Sequence, residues 1–106
     1  MAAALEADAS DFVMLDLDRI GGVTGWQRAA GLAAAYGREV SSHLFPEVSA
    51  HLMAATPGRH WLEYVDWANP ILQVPLVVKD GMAVIPDRPG NGLAWDNEAV
   101  AKYRLA

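Results

Sequence analysis

Three residues in this 106-residue sequence combine proton-transfer chemistry with a suggestive placement: Asp16, His43 and Glu63. Each lies at or near the end of a strand-like run. Phe12-Val13-Met14-Leu15 precedes Asp16, Arg38 to Ser42 leads into His43, and His60 to Val65 contains Glu63. An aspartate beside a histidine holds one imidazole tautomer and stabilises the imidazolium that forms when the ring takes a proton. In parallel α/β proteins the C-terminal ends of the strands carry the reacting groups, because the loops there converge on one crevice. Taken singly, each residue has a bland reading: Asp16 caps a loop, His43 is a satisfied buried histidine, and Glu63 is solvated. Three on successive strands form a row, and the row points to acid–base chemistry.

Other candidates carry less. Gly21-Gly22-Val23-Thr24-Gly25 follows a strand and opens a helix, a place where phosphate binds. It lacks the G-x-G-x-x-G spacing, and a tight strand–helix turn explains it better. His51 and His60 lie eight and seventeen residues after His43, so neither forms the i, i+4 pair of a helical zinc site. Direct binding of a transition metal by Asp16, His43 and Glu63 is a weaker alternative. The tryptophans at 26, 61, 67 and 95 are not interleaved with basic residues and read as packing groups. Arg59 and Arg88 read as ordinary surface arginines.

The elements that must position the row alternate. Ala2 to Asp8 reads as the end of a helix. The unalternated apolar run at 12–15 suits a strand buried on both faces. After Gly21-Gly22, Thr24 and Gln27 form a capping-box pattern for an alanine-rich helix over Trp26 to Tyr36, which Gly37 stops. Pro46 fits the first turn of the next helix, predicted to run to Thr56 ahead of Pro57-Gly58. Strands separated by helices imply parallel pairing with right-handed crossovers. Beyond residue 65 the character changes. Lys79-Asp80-Gly81 between two apolar runs predicts a hairpin, Pro86 to Gly92 a loop, and Asp96 the cap of a last helix over Asn97 to Tyr103.

Composition narrows the classes. With 53% of residues apolar and 20% charged, the chain reads as globular rather than disordered. No cysteine means no disulfide scaffold, thiol nucleophile or thiolate metal site. A net charge of −5 argues against a nucleic acid or an anionic membrane as partner. No run is long and apolar enough for a membrane span. Met1-Ala-Ala-Ala-Leu5 meets Glu6 and Asp8 without a basic region, so no signal peptide is expected and the expected location is cytoplasmic.

The same residues resemble a known family. Ile20-Gly-Gly-Val-Thr-Gly-Trp26, Ser41-Ser-His-Leu-Phe45, Glu47-Val-Ser-Ala-His-Leu52, Ala54-Ala-Thr-Pro57 and His60-Trp-Leu-Glu63 look like the C-terminal part of the mandelate racemase subgroup of the enolase superfamily. Val84-Ile-Pro-Asp87, Pro89-Gly90 and Gly92 continue the likeness in order. The resemblance implies an α/β fold, the C-terminal portion of a modified TIM (β/α) barrel. Residues 1–65 would be its last three strand–helix units. Residues 66–106 would be a tail packing on an α+β capping domain. It implies abstraction of the α-proton of a 2-hydroxy acid, as in racemisation, or dehydration of an acid sugar. His43 would be the general base, Asp16 its dyad partner, and Glu63, when protonated, a donor to the substrate carboxylate. Leu44 and Val65 would line the substrate pocket, which favours an apolar or aromatic acid.

Mg²⁺ is the implied cofactor, with its ligands on barrel strands absent from this sequence; no metal ligand is assigned here. A homo-oligomer is expected of the full-length protein. Two departures stand out. Leu15 occupies the place where the family usually has proline. The only lysines, Lys79 and Lys102, are not in the family's K-x-K motif. A complete barrel takes about 250 residues, roughly 31 per unit, so 106 residues suggest the last part of a larger enzyme, inactive by itself.

Overall fold

The computed structural model describes residues 1–105. Its first half is α1 (Ala2–Glu6), β1 (Phe12–Asp16), α2 (Gly22–Ala35), β2 (Glu39–His43) and α3 (Pro46–Ala54). β1 and β2 pair in parallel, from Phe12 opposite Glu39 to Asp16 opposite His43. α2 is the crossover that parallel pairing demands.

Local chemistry explains where these elements begin and end. α2 is rich in alanine, the best helix former, and its last turn closes through Gly37 at φ 65°. The Gly37 and Arg38 amides bond the carbonyls of Ala34 and Ala33, the pairing that satisfies otherwise orphaned helix carbonyls. The start differs from the capping-box expectation. Gly21 is the N-cap and Thr24 lies inside the first turn, with no side-chain cap bond. Gly21 and Gly22 take φ of 87° and 73°, so backbone alone turns the chain into the helix before Thr24 is reached. Pro46 begins α3 as expected, but that helix ends at Ala54 rather than Thr56. Thr56 turns inward: its hydroxyl donates to the Leu52 carbonyl at 2.7 Å and accepts Trp26 Nε1–H at 2.9 Å.

The core lies between the strands and the two long helices. Val13, Leu15 and Val40 pack with Trp26, Ala29, Ala30, Ala33, Leu52 and Met53. Alanines on the inner face of α2 let it lie close to the sheet. The expectation that β1 is buried on both faces is corrected: Phe12 and Met14 are 52% and 60% exposed, because the helices pack on the opposite face and, among the described residues, only the His60 ring stacks on Phe12 from this side.

The strand expected over His60 to Val65 is also corrected. It runs beside β2 but forms only one ladder bridge, Val40 with Arg59. His60 N–H bonds the Val40 carbonyl at 2.8 Å, after which the regular pattern stops. Ser42 N–H then bonds the Trp61 carbonyl at 2.9 Å, and the Ser42 hydroxyl, not its carbonyl, accepts Glu63 N–H at 2.9 Å.

Farther on, β3 (Val77–Lys79) and β4 (Met82–Val84) form a hairpin through Asp80 and Gly81, at φ 52° and 75°. α4 (Asn97–Tyr103) is capped by Asp96, whose carboxylate accepts the Glu98 and Ala99 amides. The stretch before α4 returns to residues 71–73, with Leu72 bridged to Trp95.

Two of the glycines of α2, Gly25 and Gly31, behave oppositely. A Cβ on Gly25 would fall on the Ile20 carbonyl oxygen, whereas one on Gly31 meets nothing within 4 Å. Gly25→Ala should lower stability by about 1–3 kcal/mol, the usual cost of overpacking. Gly31→Ala should raise it by about 0.5–1 kcal/mol. Urea unfolding midpoints of the two variants test both signs.

Candidate active site

The register of β1 against β2 sets the centre of the site. Asp16 and His43 are ladder partners at the C-terminal ends of the two strands, and their side chains meet, His43 Nδ1 lying 3.0 Å from Asp16 Oδ2. The other carboxylate oxygen is engaged by the turn that follows. Asp16 Oδ1 accepts the amides of Asp18 at 2.9 Å and Arg19 at 3.1 Å. The Arg19 amide bond is the largest influence on the carboxyl and holds it below its ordinary value of 3.8; His43 and the Asp18 amide act in the same direction, against partial desolvation. The Arg19 guanidinium is 3.6 Å from Oδ2 but out in solvent, where such a pair adds little.

An ionised Asp16 selects the tautomer of the neutral ring. A carboxylate only accepts hydrogen bonds, so the contact puts a proton on His43 Nδ1 and leaves the Nε2 lone pair free when the ring is neutral. His43 thus has a fixed orientation and one free basic nitrogen, and its side chain remains 36% exposed to whatever approaches from the loop side.

Glu63 reaches the same region from the third segment. Its Oε2 accepts the Leu44 amide at 2.7 Å. Leu44 and Phe45 follow His43 with φ of 54° and 48°, a left-handed conformation that bulky residues rarely adopt. Surrounding bonds hold it: Glu63 takes the Leu44 N–H, the Ser49 hydroxyl donates to the Leu44 carbonyl at 3.0 Å, and the Phe45 carbonyl accepts the Val48 and Ser49 amides. Such strain persists only where the surroundings over-determine it, which is common at functional sites. No sequence pattern announced this turn.

Leu44 and Val65 are both half-buried, and neither is in the wall of the two hollows nearest the third segment and the dyad. One hollow of about 460 Å³ lies between α3, the third segment and the hairpin, with Met53, Trp61 and Met82 in its walls. A hollow of about 400 Å³ lies nearer the dyad, between Leu17, Asp18, Gly21, Gly22 and Phe45.

Metal binding by the row itself does not fit. Among the described residues no three potential ligands converge. Both oxygens of Asp16 are already engaged, and Glu63 Oε2 is committed to the Leu44 amide.

Paired parallel strands with acid–base groups at their C-terminal ends are the arrangement of α/β domains, whose ligand sites lie outside the carboxyl ends of the strands. The chain belongs to the enolase C-terminal domain-like family, which it matches over residues 1–100. It is 40% identical over 92 residues to L-talarate/galactarate dehydratase of Salmonella typhimurium, covering 87% of this chain and 23% of that protein. A solved Bradyrhizobium enolase complexed with magnesium and mandelic acid is 50% identical with a TM-score of 0.92, over 99% of this chain and 29% of that one. A magnesium-bound enolase from the alphaproteobacterium bal199 is 55% identical with a TM-score of 0.90, over 94% and 28%. Other relatives are acid-sugar dehydratases and cycloisomerases, with a racemase among the solved structures. The chain spans about a quarter of the length of the curated relatives it matches.

The lowered Asp16 pKa has a consequence for acid stability. A carboxyl that titrates lower in the folded state than in the unfolded one binds fewer protons when folded, so it contributes stability at neutral pH that fades as pH falls through and below about 3.8. Asp16→Asn should therefore be less stable than the parent at pH 7, with the difference shrinking toward pH 3. Chemical denaturation at pH 7, 5 and 3 measures it; a gap that widens with acid contradicts the assignment.

Proposed function

We propose that this chain carries the general-base side of an active site that removes the α-proton of a 2-hydroxy carboxylate. The observation that carries the reading is the His43–Asp16 pair at the strand ends, with Glu63 held beside the His43 turn. The chain is read as a sector of a TIM barrel whose other strands complete the site. Magnesium in the matched structures supports a cation for the whole enzyme. The described residues do not fit one, and the α-proton abstraction below is written with this chain's own groups.

The chemistry follows from the geometry. An α-proton beside a carboxylate is weakly acidic because its removal leaves a doubly charged enediolate. His43 Nε2 takes that proton, and the electron pair of the C–H bond moves into the carboxylate. The resulting imidazolium is paired with Asp16, which stays ionised. Glu63, when protonated, donates a hydrogen bond from its oxygen not committed to Leu44 to a substrate carboxylate oxygen, where charge accumulates. Return of a proton to the opposite face of the α-carbon, from an acid that the rest of the barrel would supply, gives racemisation. With a β-hydroxyl on the substrate, the same intermediate can instead expel hydroxide, which leaves as water once protonated.

Racemisation of an apolar or aromatic 2-hydroxy acid is the first reading, supported by the likeness to the mandelic acid-bound enolase and by Leu44 and Val65 flanking the site residues in sequence. Dehydration of an acid sugar is the second, supported by the 40% identity to L-talarate/galactarate dehydratase. Offering the complete protein mandelate enantiomers and galactarate in D₂O separates them. Deuterium at the α-carbon of the inverted enantiomer marks a racemase, and a 2-keto-3-deoxy product marks a dehydratase.

Two substitutions test the roles. His43→Asn should abolish α-proton exchange with one substrate enantiomer, and exchange at the parent rate would sink the assignment. Glu63→Gln, which replaces an acidic O–H donor with a far less acidic amide N–H, should lower kcat by about 10²-fold. Proton NMR of the exchanging α-hydrogen reads both.

A further inference from the structure

We infer that Ser42, through a one-residue bulge at Trp61, is the positioning residue that turns Glu63 toward the His43 face; this rests on the role proposed for Glu63. The register makes the case. Val40 pairs with Arg59, so an unbroken parallel ladder would set Ser42 opposite Trp61 and His43 opposite Leu62. In that register Glu63 would share a face with the buried Val40 and Ser42, pointing at the helix layer. The hydrogen bonds show a different register. Ser42 N–H bonds the carbonyl of Trp61 instead of that of His60, and Glu63 N–H bonds the Ser42 hydroxyl.

One residue has been inserted, and Trp61 is that residue. Before it, His60 keeps the inner face, stacked on Phe12 at 4.7 Å and 3.4 Å from the Ser41 hydroxyl. After it, Leu62 packs against the helix-side core. Trp61 itself is 68% exposed, as the unpaired residue of a bulge is free to be. A slip of one residue exchanges the faces of everything beyond it, and here that exchange delivers Glu63 to the Leu44 amide. Ser42 is fully buried, and its hydroxyl supplies the acceptor that the displaced ladder no longer offers. Alanine at 42 would leave the Glu63 amide unpaired.

The test is a double-mutant cycle in the complete protein, with α-proton exchange as the activity. Ser42→Ala should lower kcat about tenfold with KM changed less than about twofold, and amide hydrogen exchange at Glu63 should accelerate. The double variant Ser42→Ala/Glu63→Gln should be no slower than Glu63→Gln alone, since Ser42 acts through Glu63. Parent-like kcat in Ser42→Ala, or multiplying effects in the double variant, would overturn the inference. If Glu63→Gln alone leaves kcat unchanged, the reading of Glu63 fails, while faster exchange of the Glu63 amide in Ser42→Ala still supports the bulge anchor. An unchanged Glu63 amide overturns the anchor itself.

Discussion

In a parallel ladder, which residues face one another is decided by register, and the pairing of β1 with β2 places Asp16 opposite His43. The contact between them is short because both side chains leave adjacent strands on the same face at the same height. Everything else in the site is referred to that pair. The turn after β1 donates two amides to Asp16, keeping it ionised and aimed at the ring. The turn after β2 carries the amide that Glu63 grasps. A slip of β1 against β2 by one residue would send Asp16 to the helix side and dissolve the arrangement.

That register is held from behind. Val13 and Leu15 alternate with the site-facing residues and lock into the alanine face of α2, while Val40 and Ser42 do the same for β2. Trp26, 1% exposed, ties α2 to the end of α3 through Thr56. The face packed on the helices and the face that carries the Asp16–His43 pair therefore belong to the same strands. Phe12 and Met14 are on the face of that pair, which explains why an apolar run of strand length is half exposed here.

Much of this was legible in the sequence. Strand-length runs ending in Asp16 and His43, separated by a helix, imply parallel neighbours with those residues at one end, and Pro46, Gly37, Asp80-Gly81 and Asp96 mark boundaries through their backbone chemistry. What was not legible depended on choices between near-equivalent partners. Thr24 and Gln27 match a capping box, yet two glycines upstream can start a helix by backbone turning alone, and they do. The break at Trp61 leaves no compositional trace, because a bulge is decided by whether Ser42 offers a carbonyl or a hydroxyl. The position of Glu63 was apparent as a strand-end acid, but the face it occupies was not.

The left-handed pair at Leu44 and Phe45 limits how this site can evolve. Residues branched at Cβ are strongly disfavoured in that conformation, while asparagine, aspartate and histidine are enriched there several-fold. Drift at position 44 is thus biased away from valine, isoleucine and threonine and toward polar replacements. Substitution here would change the polarity of the turn more readily than its aliphatic shape. Glycine would relieve the strain but loosen the turn that presents the Leu44 amide to Glu63.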